Sequence, residues 1–370
     1  MPRTATAALV AAPDAPFTLA DVTLDAPRPD EVVVRMVAAG LCHTDLSVRA
    51  GRLPSPYPVV LGHEGAGVVE EVGAAVTGVV PGDRVLLSFT SCGRCGNCLA
   101  GHPAYCASWL PLNLLGGARA DGSATLSGAT GEPVAGHFFG QSSFGTYALA
   151  DERSLVKVAP DAPLDLLAPL GCGIQTGAGA VLNVLRPEPG STLAVFGAGA
   201  VGLAAVMAAA LGGLSRIVAV DVVPGRLDLA KELGATDAVD ARDGDVTTAL
   251  RDLTGGAGVD YAVEASGNVQ ALSAAIDALA ARGACAVVGA PAFGSTVAVD
   301  VNGLLGGKRI IGTTEGDANP QRFIPVLVDL VRSGRMPLDR LVRRFPFADI
   351  EKAAEASHRG EVLKPVLIFE

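Results

Sequence analysis

The chain has no run of basic residues, no internal repeat and no low-complexity linker, and each absence narrows what it can be. Its 28 lysines and arginines are outnumbered by 38 aspartates and glutamates, giving a net charge of -10. Phosphate recognition needs a clustered basic surface, so nucleic acid is excluded as the main partner. The opening residues, MPRTATAALVAAPDAP, carry one arginine and an apolar stretch broken by Pro13 and Asp14, too brief for a secretory hydrophobic core. Charged residues are only 18% of the chain and apolar ones 49%, which excludes a disordered protein. One apolar run, residues 193–214, approaches the length of a membrane span. Its five glycines, and Asp221 beyond it, fit a buried strand–turn–helix unit better. The expectation is a soluble cytoplasmic protein whose 370 residues suffice for two domains, each with its own core.

Roughly the first 150 residues are rich in short β-branched stretches, such as EVVVRMVAAG, GAGVVEEVG and DRVLLSF, bounded by glycine, proline and aspartate. From about Gly173 the pattern changes. LAVFG, RIVAVD, YAVEAS, CAVVGA and RIIGTT have the continuous apolar form of buried parallel strands. Between them VGLAAVMAAALG, GRLDLAKELGA, DVTTALRDLTG and NVQALSAAIDALA have helical spacing. This α/β alternation predicts a doubly wound parallel sheet over residues 172–313. After about Thr314 it stops. A helix at RFIPVLVDLVRSG, another at DIEKAAEASHRG and a final strand, KPVLIF, are expected to rejoin the first domain, so that 1–171 and 314–370 form one unit. Residues 116–136 read as a long loop.

The chain has seven cysteines, at 42, 92, 95, 98, 106, 172 and 285, and four of them fall within fifteen residues. Without an export signal, such crowding points to metal rather than disulfides. Cys92, Cys95, Cys98 and Cys106 form C-x2-C-x2-C-x7-C. Four thiolates close a tetrahedral shell and leave no place for substrate, which is the pattern of a structural zinc. Free thiols and an iron–sulfur cluster are the alternatives, although ferredoxin runs use a different last gap. His102 is surplus to this shell and expected to be exposed.

Three further residues have ligand chemistry: Cys42 in GLCHTD, His63 in GHEGAGVVEEVG and Cys172 in PLGCGIQTG. Each alone is as readily a buried core residue. Together, two thiolates and one imidazole with a fourth position open make a zinc that acts on a substrate oxygen. FGAGAVG supplies Gly197, Gly199 and Gly202 as G-x-G-x-x-G after an apolar strand, the turn that cradles a pyrophosphate. Asp221 closes the next strand, where a carboxylate holds both ribose hydroxyls and repels a 2′-phosphate, favouring NAD over NADP.

Residues 62–76, GHE-x2-G-x5-G-x2-V, match the zinc signature of the medium-chain, zinc-dependent alcohol dehydrogenases. With Cys42, the four-cysteine lobe, Cys172 and the dinucleotide turn in the same order, essentially the whole chain resembles that family. The resemblance implies a β-rich GroES-like catalytic domain with a structural zinc lobe at about residues 88–110, a Rossmann NAD-binding domain, and two zinc ions per subunit. It makes Cys42, His63 and Cys172 the catalytic zinc ligands and Glu64 a transient ligand behind the metal. Asp45 falls on the other nitrogen of His63, and Thr44 takes the proton of the alcohol. His43, Arg226 and Lys364 match positions that contact adenosine ribose or pyrophosphate, Lys364 being otherwise a surface charge, and Thr176 and Val201 join the cofactor set. One departure concerns the proton relay. The family ends it on a histidine three residues beyond the threonine; Ser47 stands there, so the relay is expected to end in water.

HFFGQSSFGTYA, residues 137–148, resembles the aryl (benzyl) alcohol dehydrogenase branch. By that resemblance Phe138 and Phe139 line or border the substrate channel; the alternative is that they fill the core. A sister class, glutathione-dependent formaldehyde dehydrogenase, holds a charged adduct with an acidic residue and an arginine. Leu53 and Leu110 occupy the matching places here, so the expected substrate is an uncharged hydrophobic primary alcohol, with geraniol-type allylic alcohols fitting nearly as well as benzyl alcohol. A non-catalytic relative on this fold would be expected to lose a catalytic ligand, and a metal-free quinone reductase would lack both the thiolate lobe and GHE. The long segment between Cys106 and His137 resembles dimeric members, so a homodimer is expected ahead of a homotetramer.

Overall fold

A computed structural model describes residues 2–115 and 117–370; Gly116, at the start of the expected loop, lies outside the described residues. The chain divides into two compact units, Met1–Cys172 with Asn319–Asp329 and Leu338–Glu370, and Gly173–Ala318 with Leu330–Pro337. The return to the first unit therefore comes at Asn319, later than the Thr314 expected from the end of the alternation. Side chains hold the intervening residues to the second unit. Gln175 Nε2 and Thr176 Oγ1 reach Glu315 Oε2 at 3.2 and 3.4 Å, and Asn183 Nδ2 donates to Gly316 O at 3.0 Å.

The first unit contains two sheets among the described residues. One has five strands in the order Val59–Val60, Arg3–Val10, Thr18–Leu24, Leu126–Ser127 and Pro133–Val134. Its last two strands are short and lie within the segment read as loop. Arg119 fastens that segment to the unit: Nε and Nη2 bind the two oxygens of buried Glu31 at 2.6 and 2.9 Å, and Nη1 binds Asp25 at 2.8 Å. The other sheet has seven strands, running Leu155–Lys157, Arg84–Leu87, Glu64–Val72, Glu31–Gly40, Lys364–Ile368 and Val342–Pro346, with Tyr147–Asp151 also paired to Glu31–Gly40. EVVVRMVAAG forms its central strand because nearly every position is apolar and buried. The final strand lies antiparallel to the end of this one, Val366 opposite Gly40.

The second unit has six parallel strands, Thr192–Phe196, Arg216–Asp221, Asp237–Asp240, Val259–Glu264, Leu279–Val287 and Arg309–Gly312. Numbered along the chain, their spatial order is 3-2-1-4-5-6, that of a Rossmann sheet. Four of the connections hold the expected helices, Ala200–Ala210, Pro224–Glu232, Val246–Leu253 and Val269–Asp277. The apolar run at 193–214 is one strand and one buried helix of this unit. No helix among the described residues is long and apolar enough to cross a membrane.

Candidate active site

The strand Glu31–Gly40 delivers Cys42 to the start of the helix His43–Arg49. Asp45, fully buried, ties this turn to the loop bearing His63. Its Oδ2 accepts the Cys42 N–H at 2.9 Å, and its Oδ1 accepts the Gly62 N–H at 3.0 Å and stands 3.0 Å from His63 Nδ1. Cys172 follows the helical turn Ala168–Gly171. The ligand atoms of Cys42, His63 and Cys172 lie within 4.8 Å of one another, and all three residues are buried.

His63 Nε2 is buried and has no hydrogen-bond partner. Such an atom is costly unless something binds it. With Nδ1 directed at Asp45, Nε2 faces the two sulfurs, the arrangement of a metal-ligating histidine whose other nitrogen is held by a carboxylate. The electrostatics agree. The Cys172 thiol beside it draws the Cys42 thiol well below the ordinary range against the cost of burial, with help from Lys364 and His63. Burial lowers the His63 pKa, but the charge and hydrogen bond of Asp45, and then Cys42, outweigh it and raise it well above the usual imidazole value. Two thiol sulfurs, one of them drawn toward the thiolate form, and an imidazole nitrogen make a donor set that fits a divalent zinc.

Around this triad Thr44 is half-buried with Oγ1 3.8 Å from Cys42 Sγ, Ser47 is buried one turn further along the helix, and His43 is exposed. Glu64 is fully buried behind the triad, where a Cβ at Gly40 would collide with its carboxylate. Lys364 requires a correction. Expected at the cofactor or on the surface, it is only 3% exposed, and its Nζ lies 2.8 and 3.0 Å from the two oxygens of Glu64 and 3.5 Å from Leu41 O. Burial of this kind rules out the surface reading. Phe138 and Phe139 were open between channel and core. They are buried at 1% and 3% exposure and packed against the His63 ring.

The lobe folds as its spacing demands. The sulfurs of Cys92, Cys95, Cys98 and Cys106 lie within 4.8 Å of one another. Backbone N–H groups point at them: Cys95 N at Cys92 Sγ and Ala107 N at Cys95 Sγ, both 3.4 Å, and Cys92 N at Cys106 Sγ, 3.3 Å. Such donors favour thiolates, and a four-thiolate shell fits a structural zinc. His102 is exposed and outside the cluster.

In the second unit Gly197 has φ +90°, and a Cβ at Gly202 would collide with the Gly197 carbonyl, so the turn and the helix behind it both require glycine. Nothing lies within 4 Å of the Cβ direction at Gly199, which leaves room for a pyrophosphate at the start of the helix that carries Val201. Asp221 ends the second strand, with Arg226 Nη1 3.9 Å from its Oδ2, and Thr176 lies in the helix Gly173–Gly179.

Two family descriptions match the chain: alcohol dehydrogenase GroES-like domain over residues 28–161 and zinc-binding dehydrogenase over residues 200–333. A geraniol dehydrogenase of Castellaniella defragrans is 48% identical over 356 residues, 96% of this chain and 95% of its own. The chain belongs to the zinc-dependent alcohol dehydrogenases. Two solved structures of similar proteins each align over the full length of both chains. An alcohol dehydrogenase zinc-binding domain protein from Burkholderia ambifaria has a TM-score of 0.97 at 54% identity. A benzyl alcohol dehydrogenase from Acinetobacter calcoaceticus has 0.95 at 45%. As a zinc-dependent alcohol dehydrogenase the protein is an NAD-linked oxidoreductase of GroES-like and Rossmann domains, and its two cysteine-containing clusters fit the two zinc sites.

Proposed function

We propose that this dehydrogenase oxidises an uncharged, hydrophobic primary alcohol of the aryl or allylic class to its aldehyde with NAD, and runs the reverse reduction. The observation that carries this reading is full-length similarity, at 48% and 45% identity, to proteins named for geraniol and benzyl alcohol. Leu53, packed on the core of the first unit, and Leu110, 37% exposed, support it, because neither offers a charge to an ionic adduct. The deciding experiment compares kcat/KM for benzyl alcohol, geraniol, ethanol and hydroxymethyl-glutathione. Benzyl alcohol and geraniol are expected to exceed ethanol by about 10- to 200-fold, since each buried methylene adds to transition-state binding. A clear lead for the glutathione adduct would overturn the substrate class.

In this reading Cys42, His63 and Cys172 hold the catalytic zinc, which supplies a Lewis acid that acidifies the alcohol hydroxyl. Asp45 fixes the His63 tautomer and Thr44 accepts the alcohol proton. Ser47 shares a helix face with Thr44 at i, i+3, but a serine relays a proton without storing one near neutral pH, so the relay ends in water. Ser47→His is therefore expected to raise kcat at mildly acid to neutral pH, where imidazole titrates and its neutral form accepts the proton. A pH–rate profile identical to that of the parent enzyme counts against this path. His43, Thr176, Gly197, Gly199, Val201, Gly202, Asp221, Arg226 and Lys364 make up the proposed cofactor set.

We also propose a homodimer joined at the strand Arg309–Gly312. The opposite edge of the six-stranded sheet, Asp237–Asp240, is guarded by charge, with Asp240 paired to Arg242 at 2.5 Å. Arg309–Gly312 carries a charge only at its first residue, Arg309. Ile310 is exposed on it, and Phe293, Val301 and Leu305, which precede it in the chain, are 67%, 68% and 80% exposed. Ile310→Lys with Leu305→Glu is expected to convert a dimer to monomers in light scattering; an unchanged mass places the interface elsewhere.

A further inference from the structure

Phe139 occupies a backbone conformation that bulky side chains rarely adopt. Its φ of 51° and ψ of 32° are left-handed, within a tight turn in which Gly140 and Ser142 also have positive φ. That ring lies against the face of the His63 imidazole, with centroids 4.4 Å apart and planes inclined by 25°. Phe138 meets the same imidazole edge-on at 5.5 Å. Trp109, the chain's one tryptophan, meets Phe139 edge-to-face at 5.6 Å.

Trp109 in turn belongs to the four-cysteine lobe. Its N–H donates to Cys106 O at 2.8 Å, beside the Ser108 N–H that points at Cys106 Sγ at 3.4 Å. Its carbonyl accepts Asn113 Nδ2 at 2.7 Å, and Asn113 also clamps the backbone of Thr90, two residues before Cys92, at 3.0 and 3.1 Å. The path from Cys106 to Trp109 to Phe139 to His63 is thus continuous, and all of it lies in the first unit.

The Asp45 hydrogen bond fixes where His63 Nδ1 points but leaves the ring free to tilt about that contact. A ring face stacked against the imidazole removes this freedom. We propose that Phe139 is a positioning residue that sets the plane of His63, and that Trp109 is the support through which the structural zinc lobe keeps Phe139 in place. The lobe thereby orients a ligand of the other zinc. This rests on the assignment of Cys42, His63 and Cys172 to the catalytic zinc.

The test loads the enzyme with zinc and follows release to a chromogenic chelator, the catalytic ion being identified as the one absent from His63→Ala. Phe139→Leu and Trp109→Leu are expected to release that zinc about 2- to 10-fold faster, the scale of one aromatic contact, while Trp109→Phe stays near the parent rate. The lobe zinc should leave at the parent rate in Phe139→Leu. With cobalt in the catalytic site, the visible ligand-field bands should shift in both leucine variants. Phe139→Leu with lowered Tm but unchanged release and cobalt spectrum would show a residue that only fills space. If Phe139→Leu does not fold, equal release from Trp109→Phe and Trp109→Leu overturns the proposal. A parent enzyme that binds a single zinc would instead overturn the assignment beneath it.

Discussion

Lys364→Met should lose about 3–5 kcal/mol of stability in urea unfolding, and adding Glu64→Gln should recover most of the loss. Glu64 is fully buried and Lys364 nearly so, with the ammonium within 3.0 Å of both carboxylate oxygens. Burial raises the Glu64 pKa, and Lys364 is the main influence opposing it. Burial would likewise lower that of Lys364, but Glu64 and then Cys42 and Cys172 reverse this and hold the ammonium charged. Removing the lysine strands a carboxylate close to two thiolates in a space where water cannot screen it. Neutralising the carboxylate as well removes the stranded charge, so the two substitutions should be far from additive. Equal losses in the single and double variants would mean that the pair is not coupled and that lysine packing alone matters.

Asp221→Asn should lower the ratio of kcat/KM for NAD over NADP by about 10²- to 10³-fold, because a unit charge about 4 Å from a phosphate is worth a few kcal/mol near a protein surface. The carboxylate is firmly held. Oδ1 accepts the N–H groups of Val222 and Val223 at 2.8 and 2.9 Å, and Oδ2 accepts Ala198 N–H, inside the glycine turn, at 2.6 Å. A ribose 2′-phosphate would meet an anion that cannot swing away. Asparagine keeps the shape and drops the charge, leaving Arg226, 3.9 Å off, facing a neutral group. An unchanged cofactor ratio in a variant of normal Tm would place selection elsewhere.

The metal ligands were legible because thiolates and imidazoles at these spacings serve few purposes other than binding metal. The five apolar parallel strands were legible for the same economy: continuous β-branched runs between glycines fit little else. Asp237–Asp240 was missed because an edge strand is only half-buried and begins and ends on aspartate, which resembles a turn. Lys364 was misread because a lone lysine at the head of KPVLIF looks like a solvent-facing end. The available signal was the strand itself, buried at its first four positions and so unable to send a lysine outward. Phe138 and Phe139 were left open between channel and core, and no pattern in HFFGQSSF announces a tight turn with a left-handed phenylalanine stacked on an imidazole.

The first unit is assembled from both sides of the second, with Glu64 and its partner Lys364 separated by 300 positions. Most of the nucleotide-binding unit is one uninterrupted stretch, Gly173–Ala318, rich in neighbouring strand–helix contacts of low sequence separation. A chain emerging from the ribosome should therefore complete the bulk of its later unit before its earlier one. Until the strand Lys364–Ile368 arrives, the end of the strand Glu31–Gly40 lacks its antiparallel neighbour and Glu64 lacks Lys364. Order of synthesis and order of folding then run in opposite directions for the bulk of the two units.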